Sequence, residues 1–162
     1  MDLRPARPDE AELLSALALR SKAQWGYDAR FLEACRADLT LHPDDIATRR
    51  AVVAEDSGEV VGFYTLDGTP PVGELGNLWI EPAHLRRGIG RRLWTHAIDT
   101  ARTLGFATLL IDADPHAEGF YAAMGAELIG TTPSTAIPGR VLPRMRVHIG
   151  HPEVVARFRD ST

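Results

Sequence analysis

Two glycines flanked by arginines stand where a strand gives way to a helix, a pattern typical of an anion site. The strand that ends at Ile80 is followed by Pro82, and a helical pattern begins at Gly88-Ile89-Gly90. A helix N-terminus carries unpaired N–H groups and a partial positive charge, and glycine lets an anion approach the backbone. The neighbouring arginines that add positive charge are Arg86, Arg87, Arg91 and Arg92. We therefore expect the junction from Arg86 to Arg91 to bind the pyrophosphate of a nucleotide-like cofactor.

Other phosphate-binding motifs fit these glycines less well. The dinucleotide fingerprint needs a third glycine where Leu93 stands, and a P-loop needs a lysine that is absent from this position. A tight loop with solvated arginines is the structural alternative. Arginines on both sides of the glycines, directly after a strand and a proline, favour the anion site.

The elements that must position this junction follow from hydrophobic spacing and from glycine and proline. The predicted strands are Leu3–Arg7, Ala51–Glu55, Val60–Leu66, Glu74–Ile80, Ala107–Ile111, Glu127–Gly130 and Val141–Ile149. The predicted helices run from an Asp9 cap to about Ala23, from an Asp28 cap through Leu39, from Ile89 to Leu104, and from about His116 to Met124; His42–Thr48 is expected to be a loop. This order predicts a mixed α/β fold in layers, with Ala107–Ile111 central and a right-handed crossover over residues 74–111.

Length and composition indicate one globular domain. The chain has 162 residues, of which 44% are hydrophobic and 25% charged, so one core is expected. A net charge of −4 argues against a general nucleic-acid binder. Cys35 is the only cysteine, and neither a signal-peptide pattern nor a membrane-length apolar run is present, so we expect a cytoplasmic protein. Lys22 is the only lysine.

The sequence around the glycines resembles the GCN5-related N-acetyltransferase (GNAT) family. That family's cofactor motif, Gln/Arg-x-x-Gly-x-Gly/Ala, is matched by residues Leu85 to Gly90, in which Leu85 departs from the usual Gln or Arg. A second family motif, Asn-x-x-Ala-x-x-Leu/Phe-Tyr-x-x-x-Gly-Phe, is matched by Asp114 to Ala126. Its agreeing positions are Ala117, Phe120, Tyr121 and Gly125, whereas Asp114 replaces the Asn and Ala126 the final Phe. Two motifs in the family's order are more specific than either alone.

The resemblance implies a single domain over residues 1–162 with a twisted, mixed, mostly antiparallel sheet flanked by helices. It also implies acetyl-CoA as cofactor, with its pyrophosphate on the N–H groups of Arg86–Arg91 and its pantetheine arm along the strand at Trp79 and Ile80. The implied cofactor-binding residues are Leu78, Trp79, Ile80, Arg86, Arg87, Gly88, Ile89, Gly90, Arg91, Asp114, Ala117, Phe120 and Tyr121. The implied activity is acetyl transfer from the thioester to an amine.

Acetyl transfer to an amine needs a base for the amine, a donor for the oxyanion and an acid for the leaving thiolate. The resemblance implies the Ile80 N–H as the oxyanion donor and Tyr121 as the acid. The alternative for Tyr121 is a side chain packed on its helix, with its hydroxyl bonded elsewhere. Glu74, which opens the strand before the glycines, is predicted as a base acting through water; an exposed strand-end carboxylate is the alternative.

Strand alternation fixes the expected face of that carboxylate. A regular strand over Glu74–Ile80 places the side chain of Glu74 on the face shared by Leu78 and Ile80. Leu75, Asn77 and Trp79 are then expected on the opposite face.

The acceptor side is predicted from Trp25, Tyr27 and Asp112. Trp25 and Tyr27 lie between the first two helices, a region that lines the acceptor pocket in the resembled family; helix packing is the alternative. Asp112 and Asp114 follow the central strand, where α/β sites often lie, and either carboxylate suits a cationic substrate or a base. A solvated loop acid is the alternative for Asp112, and Arg140 and His116 are secondary candidates. The expected acceptor is a small-molecule or peptide amine.

Two rival functions remain at this stage. One is a non-catalytic acyl-CoA sensor of the same fold, and the other is a nucleic-acid-binding module that uses the arginines of the junction; the acidic net charge disfavours the second. No nucleic-acid or membrane partner is expected. No metal is expected either, because His148-x-x-His151 lacks further ligands. Cys35 is expected in the core. The resemblance implies a homodimer, with Val141–Ile149 at the contact.

Overall fold

The computed structural model describes residues 1–150 and builds them around one sheet. Its strands are β1 (Asp2–Pro5), β2 (Val52–Asp56), β3 (Glu59–Thr69), β4 (Val72–Ile80), β5 (Thr108–Asp112), β6 (Glu127–Pro133) and β7 (Val141–His148). Its helices are α1 (Ala11–Ala23), α2 (Ala29–Leu39), α3 (Pro43–Thr48), α4 (Ile89–Leu104) and α5 (Glu118–Ala123). Short 3₁₀ turns at Pro8–Glu10, Pro82–His84 and Pro115–Ala117 precede α1, α4 and α5. Within the described range, no helix combines the length and apolarity that a membrane crossing needs.

The strands form one open sheet in the order β1-β2-β3-β4-β5-β7-β6. All neighbouring strands are antiparallel except β4 and β5, which are parallel and are connected through α4. Parallel neighbours need such a crossover, because a tight hairpin reverses the chain. The predicted mixed, mostly antiparallel α/β fold is confirmed, and β5 lies inside the sheet as its apolar sequence predicts.

Successive residues of the central strands pack into two different cores, one on each face of the sheet. Tyr64 packs with Leu93 of α4 in the first core. Its neighbour Phe63 packs with Leu14 and Leu17 of α1 in the second core. Side chains alternate between the faces of a strand, so consecutive apolar residues of β3 bury against different helices. Cys35 is buried as expected.

Helix α4 confirms the predicted signals most completely. Leu93, Ala97 and Ala101 recur every four residues and are fully buried against the sheet. Gly105 ends the helix with a φ of 92°, a left-handed conformation that favours glycine. The helix that carries the glycine junction is therefore fixed along its length by one face of the core.

The predicted loop over His42–Thr48 is wrong, because Pro43–Thr48 forms α3. Pro43 suits a first turn, where no intrahelical N–H bond is needed, and the Asp45 carboxylate accepts a 2.8 Å hydrogen bond from the His42 N–H. Ile46 anchors the helix in the second core. Such a short helix shows little periodicity in its sequence.

The two predicted helix caps have different outcomes. Asp28 caps α2, since its carboxylate accepts a 2.8 Å hydrogen bond from the Phe31 N–H. Asp9 does not cap α1, because it lies inside the 3₁₀ turn Pro8–Glu10 and the helix begins at Ala11. Glu10 instead accepts hydrogen bonds from the side chain of Arg4, at 2.9 Å, and from the Arg7 N–H, at 2.8 Å.

A β-bulge at Gly76 overturns the predicted alternation of β4. Asn77 is opposite Thr65 and Leu75 is opposite Leu66, so Gly76 is an extra residue between them. Leu75 consequently packs in the same core as Leu78 and Ile80. The side chain of Glu74 therefore lies on the opposite face from Leu78 and Ile80.

The bulge requires glycine because an ion pair crosses it. Arg49 Nε donates to Asp67 Oδ1 at 2.7 Å directly over Gly76. A Cβ at this position would lie 1.9 Å from Asp67 Oδ2 and 2.6 Å from Arg49 Nη2. Any side chain at residue 76 would therefore displace the pair that covers the bulge.

Candidate active site

Strands β4 and β5 pair only near their starts, and a cavity occupies the gap beyond. Val72–Glu74 pair with Thr108–Leu110, after which the two strands separate. The cavity measures about 460 Å³, and its wall comes from Leu75–Ile80, the start of α4, the segment after β5, and α5. The cavity therefore lies between two diverging strands and beside the glycine junction.

The glycine junction supplies unpaired donors to one end of this cavity. Arg86 and Gly88 have φ angles of 64° and 78°, and α4 starts at Ile89. Within residues 1–150, the N–H groups of Arg86 to Arg91 make no backbone hydrogen bond. A Cβ on Gly90 would meet the Phe120 ring at 3.4 Å, so a side chain there would narrow the space. The chemistry of this donor set fits a pyrophosphate, which carries only acceptors.

The predicted arginines divide into two groups. Arg86 and Arg91 line the cavity. Arg87 instead lies within 3.4 Å of the His84 ring, and Arg92 donates to the Met1 carbonyl at 3.3 Å. Two of the four arginines thus line the cavity, while Arg87 and Arg92 make other contacts.

The rest of the predicted cofactor set also surrounds the cavity. Its wall includes Leu78, Trp79, Ile80, Gly88, Ile89, Gly90, Asp114, Ala117, Phe120 and Tyr121. Leu78 and Ile80 pack outward onto the first core, and the Trp79 indole donates to Asn77 Oδ1 at 2.9 Å. The segment of β4 that is expected to carry the pantetheine arm is therefore anchored from both faces.

Tyr121 lines the cavity. Its ring is buried against Trp94 and Phe120, with ring centres 5.9 Å and 5.3 Å away. Burial, and then the negative charge of Asp114, raise the pKa of the Tyr121 phenol well above its usual range. No hydrogen-bond partner of the hydroxyl is seen in the described part of the chain. The phenol therefore keeps its proton and has it free to donate.

Glu74 and Asp112 share one arginine. Arg144 Nη1 donates to Asp112 Oδ1 at 2.5 Å, and its Nη2 lies 3.4 Å from Glu74 Oε1. Asp112 lines the rim of the cavity, whereas Glu74 does not line it and its side chain is 48% exposed. The bulge at Gly76 explains this placement, because it turns Glu74 away from the face of Leu78 and Ile80.

Beside the cavity, four polar side chains meet around one buried carboxylate and form a cluster of five residues with it. We call them the Asp114 cluster: Lys22, Tyr27, Asp114, His116 and Arg140. Asp114 Oδ2 accepts from Lys22 Nζ at 3.2 Å and from the Tyr27 hydroxyl at 3.0 Å, and Oδ1 lies 2.9 Å from His116 Nδ1. Arg140 Nη2 donates to the Tyr27 oxygen at 2.7 Å. Tyr27, which was predicted on the acceptor side, therefore acts here as the bridge between Asp114 and Arg140.

These contacts keep Asp114 ionised although it is buried. Burial alone would raise the pKa of the Asp114 carboxyl, but hydrogen bonds from the His116 backbone and ring, and the charge of Lys22, hold it below its usual range. Burial and the hydrogen bond to Asp114 raise the pKa of Tyr27 to about 12. The cluster thus combines a carboxylate with a protonated phenol.

Aromatic rings enclose this cluster. Trp25 stacks on the His116 ring with centres 5.1 Å apart, and both residues line the cavity. Lys22 Nζ lies between 5.5 Å and 5.9 Å from the ring centres of Tyr27, Phe31 and Trp79. Cations are stabilised over aromatic faces, so these rings help to retain the buried ammonium.

Sequence reasoning did not identify every polar residue of the site. Lys22 was noted only as the sole lysine, and the wall also includes Ser21, Gln24 and Asn77. Lys22 is 92 residues from Asp114 in the sequence, and no local motif connects them. In the described range, no group of three or more His, Cys, Asp or Glu residues has metal-binding geometry. His151, one of the two histidines considered as ligands, lies outside the described residues.

The sequence itself matches the model of the acetyltransferase (GNAT) family over residues 16–126. The chain belongs to this family. The predicted enzyme class, an acyltransferase, is confirmed with it, and the matched range covers both motifs from which the resemblance was derived. A comparison with curated protein sequences gives no match.

Solved GNAT structures have the same fold along nearly the whole chain. A GCN5-related N-acetyltransferase from Rhodopseudomonas palustris is 25% identical, with a TM-score of 0.74 over 91% of this chain and 94% of that one. PaiA N-acetyltransferase from Thermoplasma acidophilum, solved in complex with coenzyme A, is 16% identical, with a TM-score of 0.73 over 91% and 98%. The ribosomal-protein-S18-alanine N-acetyltransferase from Escherichia coli is 17% identical, with a TM-score of 0.67 over 92% and 94%. At such identities the last two indicate a shared fold.

Proposed function

We propose that this GNAT protein transfers an acetyl group from acetyl-CoA to the amine of a small molecule or peptide. The observation that carries the proposal is the row of unpaired N–H groups from Arg86 to Arg91, which opens onto the cavity that also holds the Tyr121 hydroxyl. Acetyl-CoA would supply the acetyl group as a thioester. The complex of the Thermoplasma acidophilum relative with coenzyme A supports this choice of cofactor.

The proposed binding roles follow the wall of the cavity. The N–H groups of Arg86–Arg91 hold the pyrophosphate, and the backbone of Leu78–Ile80 pairs with the pantetheine arm where β5 has diverged. Ala117 and Phe120 pack beside this arm. This arrangement directs the thioester toward Tyr121.

Tyr121 is proposed as the general acid that protonates the leaving sulfur. Its buried phenol, whose pKa is raised by burial, remains protonated at neutral pH and is suited to donate to a thiolate. Glu74 is the base predicted from the sequence, but its side chain is 48% exposed, contacts Arg144 and does not line the cavity.

Trp25, Tyr27 and Asp112 are proposed to form the acceptor side. Trp25 and Asp112 line the cavity directly, whereas Tyr27 acts through the Asp114 carboxylate that it contacts. The apolar ring of Trp25 and the carboxylate of Asp112 suit an amine on an apolar stem.

Two copies of the chain are proposed to associate through β6 and β7. β6 is an edge strand, and Leu128, Ile129 and Val141 expose apolar side chains there. Light scattering that gives a monomer mass at micromolar protein would contradict this proposal.

The function is tested by calorimetric titration with desulfo-CoA, a stable analogue that keeps the pyrophosphate. In Gly90→Glu, a carboxylate enters the junction, and we expect affinity to fall by at least about tenfold because like charges repel. Gly119→Glu is the matched control, since Gly119 is exposed on α5 and its Cβ would contact nothing.

If wild type and folded Gly90→Glu bind desulfo-CoA with equal affinity, the junction is not the pyrophosphate site. If wild type binds no desulfo-CoA, the cofactor proposal is wrong, and a nucleic-acid-binding function becomes the alternative to test. Thiol release from acetyl-CoA in the presence of an amine would separate an enzyme from a non-catalytic sensor.

A further inference from the structure

We propose that His116 is the general base of this enzyme and that Asp114 is the positioning residue that holds its imidazole. The inference rests on the proposed acetyl transfer and names the group that takes the proton of the acceptor amine. Family motifs assign no role to His116, and the sequence predicted Asp114 as a cofactor ligand and Glu74 as the base.

The hydrogen bonds of the cluster determine which ring nitrogen carries the proton. His116 Nδ1 lies 2.9 Å from Asp114 Oδ1 and 3.1 Å from the Tyr27 oxygen. An ionised carboxylate only accepts, and the single Tyr27 proton is directed to Asp114 at 3.0 Å. Nδ1 must therefore be the donor, which leaves a lone pair on Nε2 in the neutral ring.

Nε2 is the nitrogen that faces away from Asp114. The His116 side chain is 44% exposed and lines the same cavity as Tyr121. Among residues 1–150, the ring makes its hydrogen bonds through Nδ1. The Trp25 indole lies nearly parallel to the ring, at an interplanar angle of 8°, and fixes its plane. The basic nitrogen is thus held in one direction without a protein partner.

Groups from four parts of the chain hold this geometry. Lys22 comes from α1, Tyr27 from the connection between α1 and α2, Asp114 from the segment after β5, and Arg140 from the connection between β6 and β7. The Asp114 carboxylate also accepts a 2.9 Å hydrogen bond from the His116 N–H, which fixes the backbone of the base. Because four donors converge on Asp114, it stays negative and can stabilise the imidazolium that forms.

The proposed step balances without any further reactant. As the amine nitrogen bonds to the acetyl carbon, it gives one proton to His116 Nε2. The bond between carbon and sulfur then breaks, and the Tyr121 hydroxyl gives its proton to the sulfur. The proton on His116 returns to Tyr121 through solvent, so the products are the amide and the free thiol.

The kinetic test compares His116→Ala with Glu74→Gln in thiol release from acetyl-CoA, over a panel of primary alkylamines, arylalkylamines and peptides. We expect His116→Ala to lower kcat by about 10²–10⁴-fold with unchanged desulfo-CoA affinity, and added imidazole to restore part of it. His42→Ala, at an exposed histidine just before α3, is the matched control.

A second measurement does not depend on the acceptor. In ¹⁵N-histidine NMR spectra, wild-type His116 should show the tautomer protonated on Nδ1, and Asp114→Asn should lose that preference. A tautomer protonated on Nε2 would overturn the proposal. It would also be overturned if the kcat of His116→Ala stayed within about threefold of wild type, or if kcat fell in Glu74→Gln alone. If wild type binds desulfo-CoA but releases no thiol with any amine, the proposed function fails, and the tautomer still decides whether His116 is held as a base.

Discussion

Two buried carboxylates of the molecule, Glu10 and Asp114, both bind positively charged side chains. They differ in whether a bonded partner also lines the cavity. The side chain of Glu10 is 7% exposed and that of Asp114 is 5% exposed. Both accept several hydrogen bonds, and both have pKa values below the usual range. The two carboxylates are therefore alike in burial and in the direction of their pKa shifts.

The Glu10 site is closed. Both terminal nitrogens of Arg4 donate to Glu10 at 2.9 Å and its Nε donates to Glu55 at 2.5 Å, so all three guanidinium nitrogens bond to carboxylates of the protein. The Asp114 site is open, because His116 uses Nδ1 for the carboxylate while its side chain is 44% exposed and lines the cavity. A buried charge whose partners point only at one another stabilises the fold. A buried charge with a partner that faces a cavity can also act on a bound molecule.

The largest expected effect compares two buried tyrosines. In Tyr121→Phe, we expect kcat to fall by about 10²–10⁴-fold, because the acid for the leaving thiolate is lost. Tyr64→Phe is the control, since the Tyr64 hydroxyl makes a hydrogen bond within the protein, 2.6 Å from His96 Nδ1. Steady-state thiol release with both variants measures the difference. Equal losses in the two would show that the hydroxyl of Tyr121 has no catalytic role.

The next effect is on stability alone. Glu10→Gln should lower the free energy of unfolding by about 2–3 kcal/mol, because Arg4 then loses its buried charge partner. We expect kcat to stay unchanged, since the site lies away from the cavity. Glu12→Gln, an exposed position on α1, is the matched control. Urea denaturation followed by circular dichroism tests this, and a fall in kcat without loss of stability would contradict the closed character of the site.

The same variant predicts a pH dependence. The hydrogen bond from Arg4 lowers the pKa of Glu10 from 4.5 to about 2, so the native state favours the ionised form. This stabilisation is complete above pH 4.5 and is lost as the pH falls through about 2. The difference in unfolding free energy between wild type and Glu10→Gln should therefore shrink over that window. A difference that stays constant from pH 7 to pH 2.5 would show that the charge of Glu10 contributes nothing.

The smallest expected effect concerns the exposed neighbour of the closed site. Arg7 lies 3.6 Å from Glu10, but its own side chain is 62% exposed. Arg7→Ala should change the unfolding free energy by less than about 0.5 kcal/mol, since water screens such a pair. The backbone N–H of residue 7 still donates to Glu10 in this variant. A loss as large as that of Glu10→Gln would show that the guanidinium of Arg7 belongs to the buried site.

The sequence predicted those parts of the fold whose signals are local. Gly105 and the four-residue spacing of Leu93, Ala97 and Ala101 define α4 without any knowledge of the sheet. The glycine junction likewise lies within one short segment, so its place at the edge of the cavity followed from the order of the strand and helix. The short helix α3 was missed because six residues show too little periodicity.

Other features could not be predicted because they depend on distant partners. The bulge at Gly76 follows from the pairing of β4 with β3 and from the ion pair of Arg49 with Asp67, which no local pattern shows. The Asp114 cluster depends on contacts between residues that are far apart in the sequence, such as Tyr27 and Arg140, which are 113 positions apart. Of its members, Tyr27 and Asp114 were predicted in the site individually and His116 and Arg140 were secondary candidates, but their mutual contacts require the folded chain.

The burial of Lys22 has a chemical consequence for any experiment with acetyl thioesters. It is the only lysine among the 162 residues, and its ammonium is enclosed by aromatic rings and paired with Asp114. Thioesters acetylate exposed lysine amines without a catalyst, and this protein has no such amine to offer. Apart from the α-amine, it therefore offers no exposed amine as an acetyl acceptor. Any ε-N-acetyl-lysine found after incubation with a peptide therefore belongs to the peptide.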